Sequence, residues 1–303
     1  MLCQRLKDEI SQGAEILRNG GLVAFPTETV YGLGADALNP EAVARVYKVK
    51  GRPSDNPLIW HIGGLDNLPD AKLNPLANKL AKTFWPGPLT MVLSQGAGTI
   101  AVRVPAHPVA QALIAESGLI IAAPSANISG RPSPTKAQHV IDDFKDSIDL
   151  IIDGGSCENG LESTVIDLHT GSARLLRPGS VTLEMLQAVI GKVETPNPED
   201  LKGSPLSPGM KYRHYAPAAP LILLIGSEQS VTGYIKSKEG QNIGILRSSG
   251  SDPTVIAQTL FDRLRQFDQM GVSLIIAEGI KEEGIGLAVM NRLKKAAAEV
   301  VFL

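Results

Sequence analysis

The sequence is poor in cysteine and in aromatic residues. Cys3 and Cys157 are the only cysteines among its 303 residues, and they form no CxxC pair. Disulfide frameworks and cysteine-rich zinc sites need more cysteines at closer spacing, so the sequence argues against both. The five histidines are scattered without the spacing of metal ligands, and no metal-ligating residue is predicted. Low cysteine content favours a reducing compartment, and we expect a cytoplasmic protein.

An excess of charge of one sign is also absent. Lys and Arg number 29 against 31 Asp and Glu, which gives a formal net charge of −2. This balance does not indicate nucleic-acid binding by the chain as a whole, so any basic site must be local. No apolar run approaches the roughly 18 residues of a membrane span, and charged residues at positions 5–9 replace the apolar core of a signal peptide. We therefore expect no membrane partner.

The chain is too long for one ordinary hydrophobic core, which rarely grows past about 250 residues. Apolar strands and amphipathic helices alternate over residues 1–190, prolines crowd residues 191–220, and strands and helices alternate again over residues 221–303. This pattern predicts a larger α/β domain, a linker or lid, and a smaller three-layer α/β domain with a parallel sheet.

The individual elements follow from hydrophobic periodicity and from caps. Helices are predicted over residues 6–17, 40–50, 76–84, 109–117, 183–190, 255–270 and 289–298, the last of which closes the chain. Strands are predicted over residues 22–25, 58–62, 89–93, 99–104, 119–123, 149–153, 163–168, 173–176, 221–225, 243–246 and 274–277. Residues 26–34 are predicted to be a turn.

A cluster of cations ends the second predicted helix, in the segment YKVKGRPSDNPL of residues 47–58. Lys48, Lys50 and Arg52 repel one another, and a folded protein tolerates such a cluster where an anion neutralises it. Arginine offers a planar fork and lysine a mobile point charge, a combination suited to a polyphosphate. The alternative is a solvated helix end, where cations favour the C-terminal dipole. These residues alone leave both interpretations open.

Polar turns follow two of the predicted strands. Residues 26–34 bring two hydroxyls, a carboxylate, a phenol and two glycines to the end of the first strand, where binding loops often lie. Residues 124–130, PSANISG, expose hydroxyls and backbone N–H groups that suit a phosphate or a base edge. The second turn lacks P-loop spacing, and the first is also compatible with an ordinary capped strand-to-helix loop.

Two isolated polar residues and one linker motif need a separate explanation. Arg103 lies among apolar residues of its strand, so it faces solvent at an edge or meets an anion in a cavity. A histidine such as His61, taken alone, is more often a core or edge residue than a catalyst.

Residues 207–217, SPGMKYRHYAP, are rich in aromatics and cations for a spacer. We interpret them as a lid over the first domain, and a linker packed on the nearer domain is the alternative.

Together these motifs resemble those of the Sua5/YrdC/YwlC family of L-threonylcarbamoyladenylate synthases, in its longer Sua5 form. The motifs that carry the resemblance are TETVYGLGADA, KGRPSDNPL followed by His61, WPGPLT, RVP, PSANISG, ESTVIDL, RPG and SPGMKYRHYAP. The resemblance covers nearly the whole chain. It implies a twisted open mixed α/β sheet, YrdC-like, around a large basic cavity, with a smaller Rossmann-like α/β domain at the C-terminus.

The resemblance also implies a reaction. L-threonine, bicarbonate or CO2, and ATP would give threonylcarbamoyl-AMP and pyrophosphate with the help of Mg2+. The product would pass to the tRNA threonylcarbamoyl-transfer machinery for the t6A modification at position 37 of tRNA, and a weak RNA contact is possible. Positioning and cationic stabilisation of phosphate charge would supply most of the catalysis, without a covalent nucleophile.

The family's functional residues map onto this sequence motif by motif. The expected catalytic residues are Lys50 and Arg52. The expected ATP-binding residues are Lys48, Arg52, Asn56, Thr99, Ala123, Ser125, Ser133, Arg177 and Tyr215, with Tyr212 as an alternative to Tyr215 in the lid. The expected L-threonine-binding residues are Thr29, His61, Arg103 and Ser163, with Arg103 on the threonine carboxylate.

Two other functions compete with this one. A non-catalytic RNA-binding or ribosome-maturation module would use the same basic cavity, and it predicts salt-sensitive RNA affinity without ATP turnover. The net charge and the scarcity of aromatics in the first 190 residues speak mildly against it. A carbamoyl-transfer enzyme related to hydrogenase maturation would bring paired CxxC motifs, which two lone cysteines exclude.

Overall fold

A computed structural model describes residues 2–68, 73–195 and 214–303. These residues form a mixed α/β fold with two sheets, one of nine strands and one of four. The α/β class and the mixed character of the larger sheet agree with the prediction from sequence. Within the described residues, no helix combines the length and apolarity needed to cross a bilayer.

The larger sheet is built by the first part of the chain. Its strands are β1 Val23–Phe25, β2 Gly32–Asp36, β3 Ile59–His61, β4 Leu89–Gln95, β5 Gly98–Arg103, β6 Ile121–Ala122, β7 Leu150–Ile151, β8 Thr164–Asp167 and β9 Arg174–Arg177. They lie in the order β7-β1-β2-β6-β3-β5-β4-β8-β9. The accompanying helices are α1 Gln4–Arg18, α2 Pro40–Lys50, α3 Pro75–Phe84, α4 Pro108–Ser117, α5 Ala137–Phe144 and α6 Leu183–Ile190.

The sequence pattern does not predict β2 or α5. Residues 32–36, GLGAD, contain two glycines and little that favours a strand, and we expected part of this segment to be a turn. In the structure β2 is buried and pairs antiparallel with β1 on one side and β6 on the other. Gly34 is required there, since a Cβ would lie 2.8 Å from the side chains of Ile121 and Phe25. Tertiary pairing therefore overrides local propensity at β2.

Local caps place the cationic segment. The Asn39 side chain accepts hydrogen bonds from the backbone N–H groups of Glu41 and Ala42, and Pro40 occupies the first turn of α2. Gly51 ends the helix in the left-handed conformation, at φ 61°. Lys50 is therefore the last helical residue, and Arg52 is the first residue after the turn.

Strand register brings other polar residues together. β3 and β5 are parallel, and His61 lies directly beside Arg103. β6 pairs with β3 on its other side and leads into the turn of residues 124–130. Because neighbouring strands share an edge of the sheet, residues distant in sequence meet at one place.

The last part of the chain forms the smaller sheet. Its elements are β10 Leu221–Ile225, α7 Glu228–Lys236, β11 Ile243–Leu246, α8 Pro253–Met270, β12 Leu274–Glu278, α9 Ile285–Ala296 and β13 Glu299–Phe302. All strand pairs are parallel, in the order β11-β12-β10-β13. The prediction that a helix closes the chain is wrong, because Ala297 is extended and the Ala298 N–H donates to the Leu221 carbonyl, which starts β13.

The predicted linker begins as part of the first sheet. Glu194 exchanges backbone hydrogen bonds with Ala173 and Leu175, beside β9. Residues 196–213 lie outside the described residues, and they include Tyr212 and most of the predicted lid. The chain is described again at His214, and the Tyr215 ring packs 5.4 Å from that of Phe261 in α8.

Gly179 lies just after β9 and close to the backbone at the start of β8, so a substitution there tests how tightly these two segments pack. A Cβ at this position would lie 2.5 Å from the backbone nitrogen of Thr164 and 2.8 Å from the Glu162 carbonyl oxygen. We expect Gly179→Ala to lower the free energy of unfolding by about 1–3 kcal/mol, because backbone atoms must move. Urea denaturation measures the change.

Gly233→Ala is the matched control, because a Cβ at this position of α7 would meet nothing within 4 Å. It should raise the free energy of unfolding by about 0.5–1 kcal/mol through helix propensity. Equal stability of the two variants would show that the junction of β8 and β9 yields to an added methyl group.

Candidate functional site

A cavity opens where the strand ends of the larger sheet meet the first residues after the linker. It collects side chains from segments far apart in sequence. Of the predicted site residues, the following line it: Thr29, Lys50, Arg52, His61, Arg103, Ala123, Ser125, Ser133, Ser163, Arg177 and Tyr215. It is also lined by Thr27, Val30, Tyr31, Gly32, Ile59, Pro124, Asn127, Ser129, Gly130, Arg131, Glu162 and His214.

Three predicted ATP-binding residues lie outside this lining. Lys48 is exposed on α2, because residues two apart on a helix point about 200° apart and Lys50 faces inward. Thr99 is exposed near the start of β5, about 13 Å along the strand from Arg103 at 3.3 Å per residue. Asn56 is buried, and its carbonyl oxygen accepts a hydrogen bond from Arg52 Nε at 3.3 Å.

Arg52 is held by backbone carbonyl groups. Its Nη2 donates to the Pro57 oxygen at 3.2 Å, and the side chain is 9% exposed. Burial lowers the pKa of its guanidinium to about 10, which leaves it charged at neutral pH. Its planar donor set faces a cavity that also contains Arg103 and Arg177. This arrangement favours a bound anion with several oxygen atoms.

Lys50 joins the end of α2 to the turn of residues 124–130. Its Nζ donates to the carbonyl oxygens of Ser125 at 2.6 Å and Asn127 at 2.5 Å. Burial, followed by repulsion from Arg52, lowers the pKa of Lys50 well below its usual value. These two bonds fix the amine of Lys50 where it lines the cavity.

The contacts of Arg103 show whether it faces solvent at a sheet edge or lies in a cavity. Its Nη2 lies 2.7 Å from Glu28 Oε1, Nη1 donates to Thr29 Oγ1 at 2.9 Å, and Nε donates to the Gly87 carbonyl. Burial alone would raise the pKa of Glu28, but the charge of Arg103, its hydrogen bond and backbone hydrogen bonds together make the net shift downward. Arg103 therefore faces the cavity as a fixed cation whose orientation is set by a buried carboxylate.

His61 enters the cavity as a neutral ring. It is 3% exposed, and its Nδ1 lies 3.2 Å from the Ile59 carbonyl oxygen. Burial, and then the charge of Arg103, lower its pKa to about 3. Since a carbonyl oxygen can only accept a hydrogen bond, the tautomer that carries its proton on Nδ1 matches the Ile59 contact.

The opposite wall combines Ser163, Arg177 and Tyr215. Ser163 Oγ lies 2.7 Å from Thr90 Oγ1, and Arg177 donates to both the hydroxyl and the carbonyl oxygen of Ser163. Tyr215 has a positive φ of 66°. Burial raises the pKa of its phenol, and a hydrogen bond with Arg177 opposes part of this rise. The predicted lid residue Tyr215 thus contacts the predicted ATP-binding residue Arg177.

The sequence analysis assigned no role to two carboxylates that pair with arginines at or beside this site. Glu28 pairs with Arg103, and Glu162 lines the cavity and pairs with Arg292 at 2.9 Å. Each immediately precedes a predicted threonine-binding residue, Thr29 or Ser163. The available signal was the position of each acidic residue, next to a predicted threonine-binding residue and in a turn at the end of a strand.

Comparison with known proteins gives two family matches. The family model Sua5_yciO_yrdC, described as telomere recombination, matches residues 15–179. A second model, described as the C-terminal domain of threonylcarbamoyl-AMP synthase, matches residues 181–298. The two matches together span strands β1 to β12.

Individual relatives align along almost the whole chain. Threonylcarbamoyl-AMP synthase of Bacillus subtilis is 46% identical over 95% of this chain and 93% of its own length. The enzyme of that name from Pyrococcus abyssi is 47% identical over 95% of this chain and 94% of its own length.

A solved structure is also close. The crystal structure of Pyrococcus abyssi Sua5 complexed with L-threonine superimposes with a TM-score of 0.92 at 45% identity, and covers 97% of this chain and 96% of that one. The first family model alone covers more than half of the sequence. The chain therefore belongs to the Sua5/YrdC/YwlC family, in the longer Sua5 form that carries a C-terminal domain.

Proposed function

We propose that this protein is an L-threonylcarbamoyladenylate synthase, a nucleotidyltransferase that uses L-threonine, bicarbonate or CO2, and ATP. The observation that carries the proposal is the convergence of Lys50, Arg52, Arg103 and Arg177 on one cavity beside hydroxyl-rich turns. Relatives of the same name, aligned over nearly the full length, support the same activity.

The chemistry fits a cavity rich in fixed cations. The amine of threonine adds to CO2, or to bicarbonate with loss of water, and forms a carbamate. A carbamate oxygen then bonds to the α-phosphorus of ATP as the bond from this phosphorus to the bridging oxygen breaks, and pyrophosphate leaves. Negative charge grows on phosphate oxygens during this step, so arginines held in place lower its barrier without forming a covalent intermediate.

The cavity offers two neighbouring subsites. Thr29, His61 and Arg103 are joined by a hydrogen bond and by strand register, and with Ser163 they form the proposed threonine subsite. The proposed ATP subsite comprises Lys50, Arg52, Ala123, Ser125, Ser133, Arg177 and Tyr215. The subsites meet where Arg177 donates to Ser163. ATP contacts of Lys48, Asn56 and Thr99 stay predictions, since these residues lie outside the lining.

Magnesium is proposed to enter bound to ATP. Within the described ranges, no three His, Cys, Asp or Glu side chains group together as metal ligands. The carboxylate of Glu162 is already bonded to Arg292 and Ser133. These residues therefore do not fit a protein-bound magnesium site, and phosphate oxygens and water are the ligands that Mg2+ accepts readily.

The biological setting belongs to the same proposal. The product would serve the tRNA threonylcarbamoyl-transfer machinery in t6A formation, and the reaction would take place in the cytoplasm. A small ligand suits the cavity better than an RNA chain does. Arg52, Arg103 and Arg177 are only 9%, 3% and 4% exposed, whereas nucleic-acid backbones are bound by exposed cations.

Pyrophosphate release tests the reaction directly. With Mg-ATP, L-threonine and bicarbonate all present, we expect steady release of pyrophosphate. Omission of L-threonine should abolish it, and omission of bicarbonate from CO2-depleted buffer should reduce it strongly. Release that is indifferent to both omissions would contradict the proposed function, and salt-sensitive RNA affinity without release would favour the RNA-binding module.

Arg52→Ala should reduce kcat/KM for ATP by about 30- to 1,000-fold, which corresponds to roughly 2–4 kcal/mol, because phosphate oxygens lose a charged partner in the transition state. Steady-state pyrophosphate release at varied ATP measures it. Arg45→Ala is the matched control, since Arg45 lies on α2, the helix that precedes Arg52, with its side chain 45% exposed and paired with Asp149. Similar kinetics for the two variants would remove Arg52 from the ATP subsite.

The neutral state of His61 predicts a pH dependence of stability. Its pKa is about 3 when folded against 6.5 for an unperturbed histidine, so the unfolded chain binds the extra proton between these values. The free energy of unfolding should therefore fall as pH falls from 6.5 toward 5, with about 1.4 kcal/mol per pH unit contributed by His61 at full effect. Urea denaturation of the wild type and His61→Gln over this range should show a flatter profile for the variant. Parallel profiles would mean that His61 takes up its proton in the folded state.

A further inference from the structure

Arg292 of the second domain contacts a residue that lines the cavity. Arg292 of α9 is 1% exposed, and its Nε lies 2.9 Å from Glu162 Oε2. Its Nη1 donates to the Pro178 carbonyl oxygen at 2.7 Å, and its Nη2 donates to the Glu162 carbonyl oxygen at 3.4 Å. All three guanidinium nitrogens are therefore directed at the first domain.

The partner of Arg292 is itself part of the cavity. Glu162 is 6% exposed, and its second carboxylate oxygen accepts a hydrogen bond from the hydroxyl of Ser133. Burial alone would raise the pKa of Glu162, but Arg292 and then Arg177 outweigh burial and the net shift is downward. An ionised carboxylate thus faces a cavity in which the other charged lining residues are Lys50, Arg52, Arg103, Arg131 and Arg177.

We propose that Arg292 is a positioning residue for the nucleotide end of the cavity. It holds Glu162, and through Glu162 it holds Ser133, while its charge leaves Arg177 free to meet a phosphate. This inference rests on the proposed function, because it assumes that the ligand at this end is ATP. It assigns to the second domain a direct part in building the ATP subsite.

A second contact fixes the same segment from the same side. Arg265 of α8 donates to the Pro132 carbonyl oxygen through Nη2 at 2.6 Å and through Nε at 3.1 Å. It also pairs with Asp143 at 2.7 Å. Pro132 directly precedes Ser133, so two arginines of the second domain determine where this part of the lining lies.

Three of the four residues of the proposed threonine subsite are supported differently, and only Ser163 directly follows Glu162. Arg103 takes its hydrogen bonds and its ion pair from Gly87, Thr29 and Glu28, which all belong to the first domain. Loss of Arg292 should therefore impair ATP binding much more than L-threonine binding. A general loosening of the fold would affect both ligands.

Charge gives the expected direction of each change. Without Arg292, Glu162 becomes a buried carboxylate that repels polyphosphate and competes for Arg177. Lysine at position 292 restores the charge but not the planar fork that reaches the two carbonyl oxygens. Neutralising Glu162 in the same chain removes the repulsion.

The experiment compares Arg292→Met, Arg292→Lys, the double variant R292M/E162Q and a matched control. Arg247→Met is the control, because it breaks an arginine–glutamate pair with Glu278 that lies wholly within the second domain. Dissociation constants are measured by calorimetry for α,β-methylene ATP with Mg2+ and, separately, for L-threonine. Pyrophosphate release and thermal unfolding are measured on the same full-length samples.

We expect Arg292→Met to weaken binding of the ATP analogue at least tenfold and L-threonine binding less than threefold. Arg292→Lys and R292M/E162Q should each recover part of the loss. Arg247→Met should leave the affinity for the analogue within twofold of wild type, even if it lowers the unfolding temperature. If Arg292→Met does not fold, the lysine and double variants carry the same comparison.

Two outcomes overturn the inference. One is wild-type affinity for the analogue in a folded Arg292→Met protein. The other is an equal loss of affinity for both ligands that E162Q does not relieve. A wild-type protein that binds neither ligand and releases no pyrophosphate would instead contradict the proposed function, and the inference would lose its basis with it.

Discussion

The burial of like charges in one small volume is the constraint on which the rest of this structure depends. Four cations, Lys50, Arg52, Arg103 and Arg177, are each at most 9% exposed. Such groups are costly to remove from water unless hydrogen bonds and opposite charges compensate them. Strand ends and turns supply the compensation as backbone carbonyl oxygens, which explains why the cavity lies where so many strands of the larger sheet stop.

Two carboxylates complete this charge compensation, one at each end of the cavity. Glu28 neutralises Arg103 from within the first domain, next to the proposed threonine subsite. Glu162 lies near Arg177 at the other end and is neutralised by Arg292 from the second domain. One end of the cavity is therefore self-contained, whereas the other is complete only when the two domains are in contact.

The sequence predicted the two α/β sheets, most of the strands and a few of the residues that line the cavity from local signals, and the family resemblance supplied the other predicted lining residues. Lys50 and Arg52 are marked by charge density beside Gly51, and Ser125 by a turn of small residues. Lys48 shares that charge density, but helical geometry turns it outward. The pairings of Glu28 with Arg103 and of Glu162 with Arg292 join residues 75 and 130 positions apart, and no periodicity in one sequence reveals such contacts. The same holds for β2 and β13, whose strand character comes from their neighbours.

The left-handed turn at Gly51 has a geometric consequence for the proposed phosphate contacts. One residue separates the last helical lysine from Arg52, and the helix behind them is fixed at its start by the Asn39 cap. A tilt or slide of α2 would carry both cations together, so the spacing between the two charges varies far less than their distance to the facing wall. Lys50 and Arg52 therefore move as one unit. A change in the width of the cavity depends chiefly on the opposite side, where Tyr215 and the second domain lie.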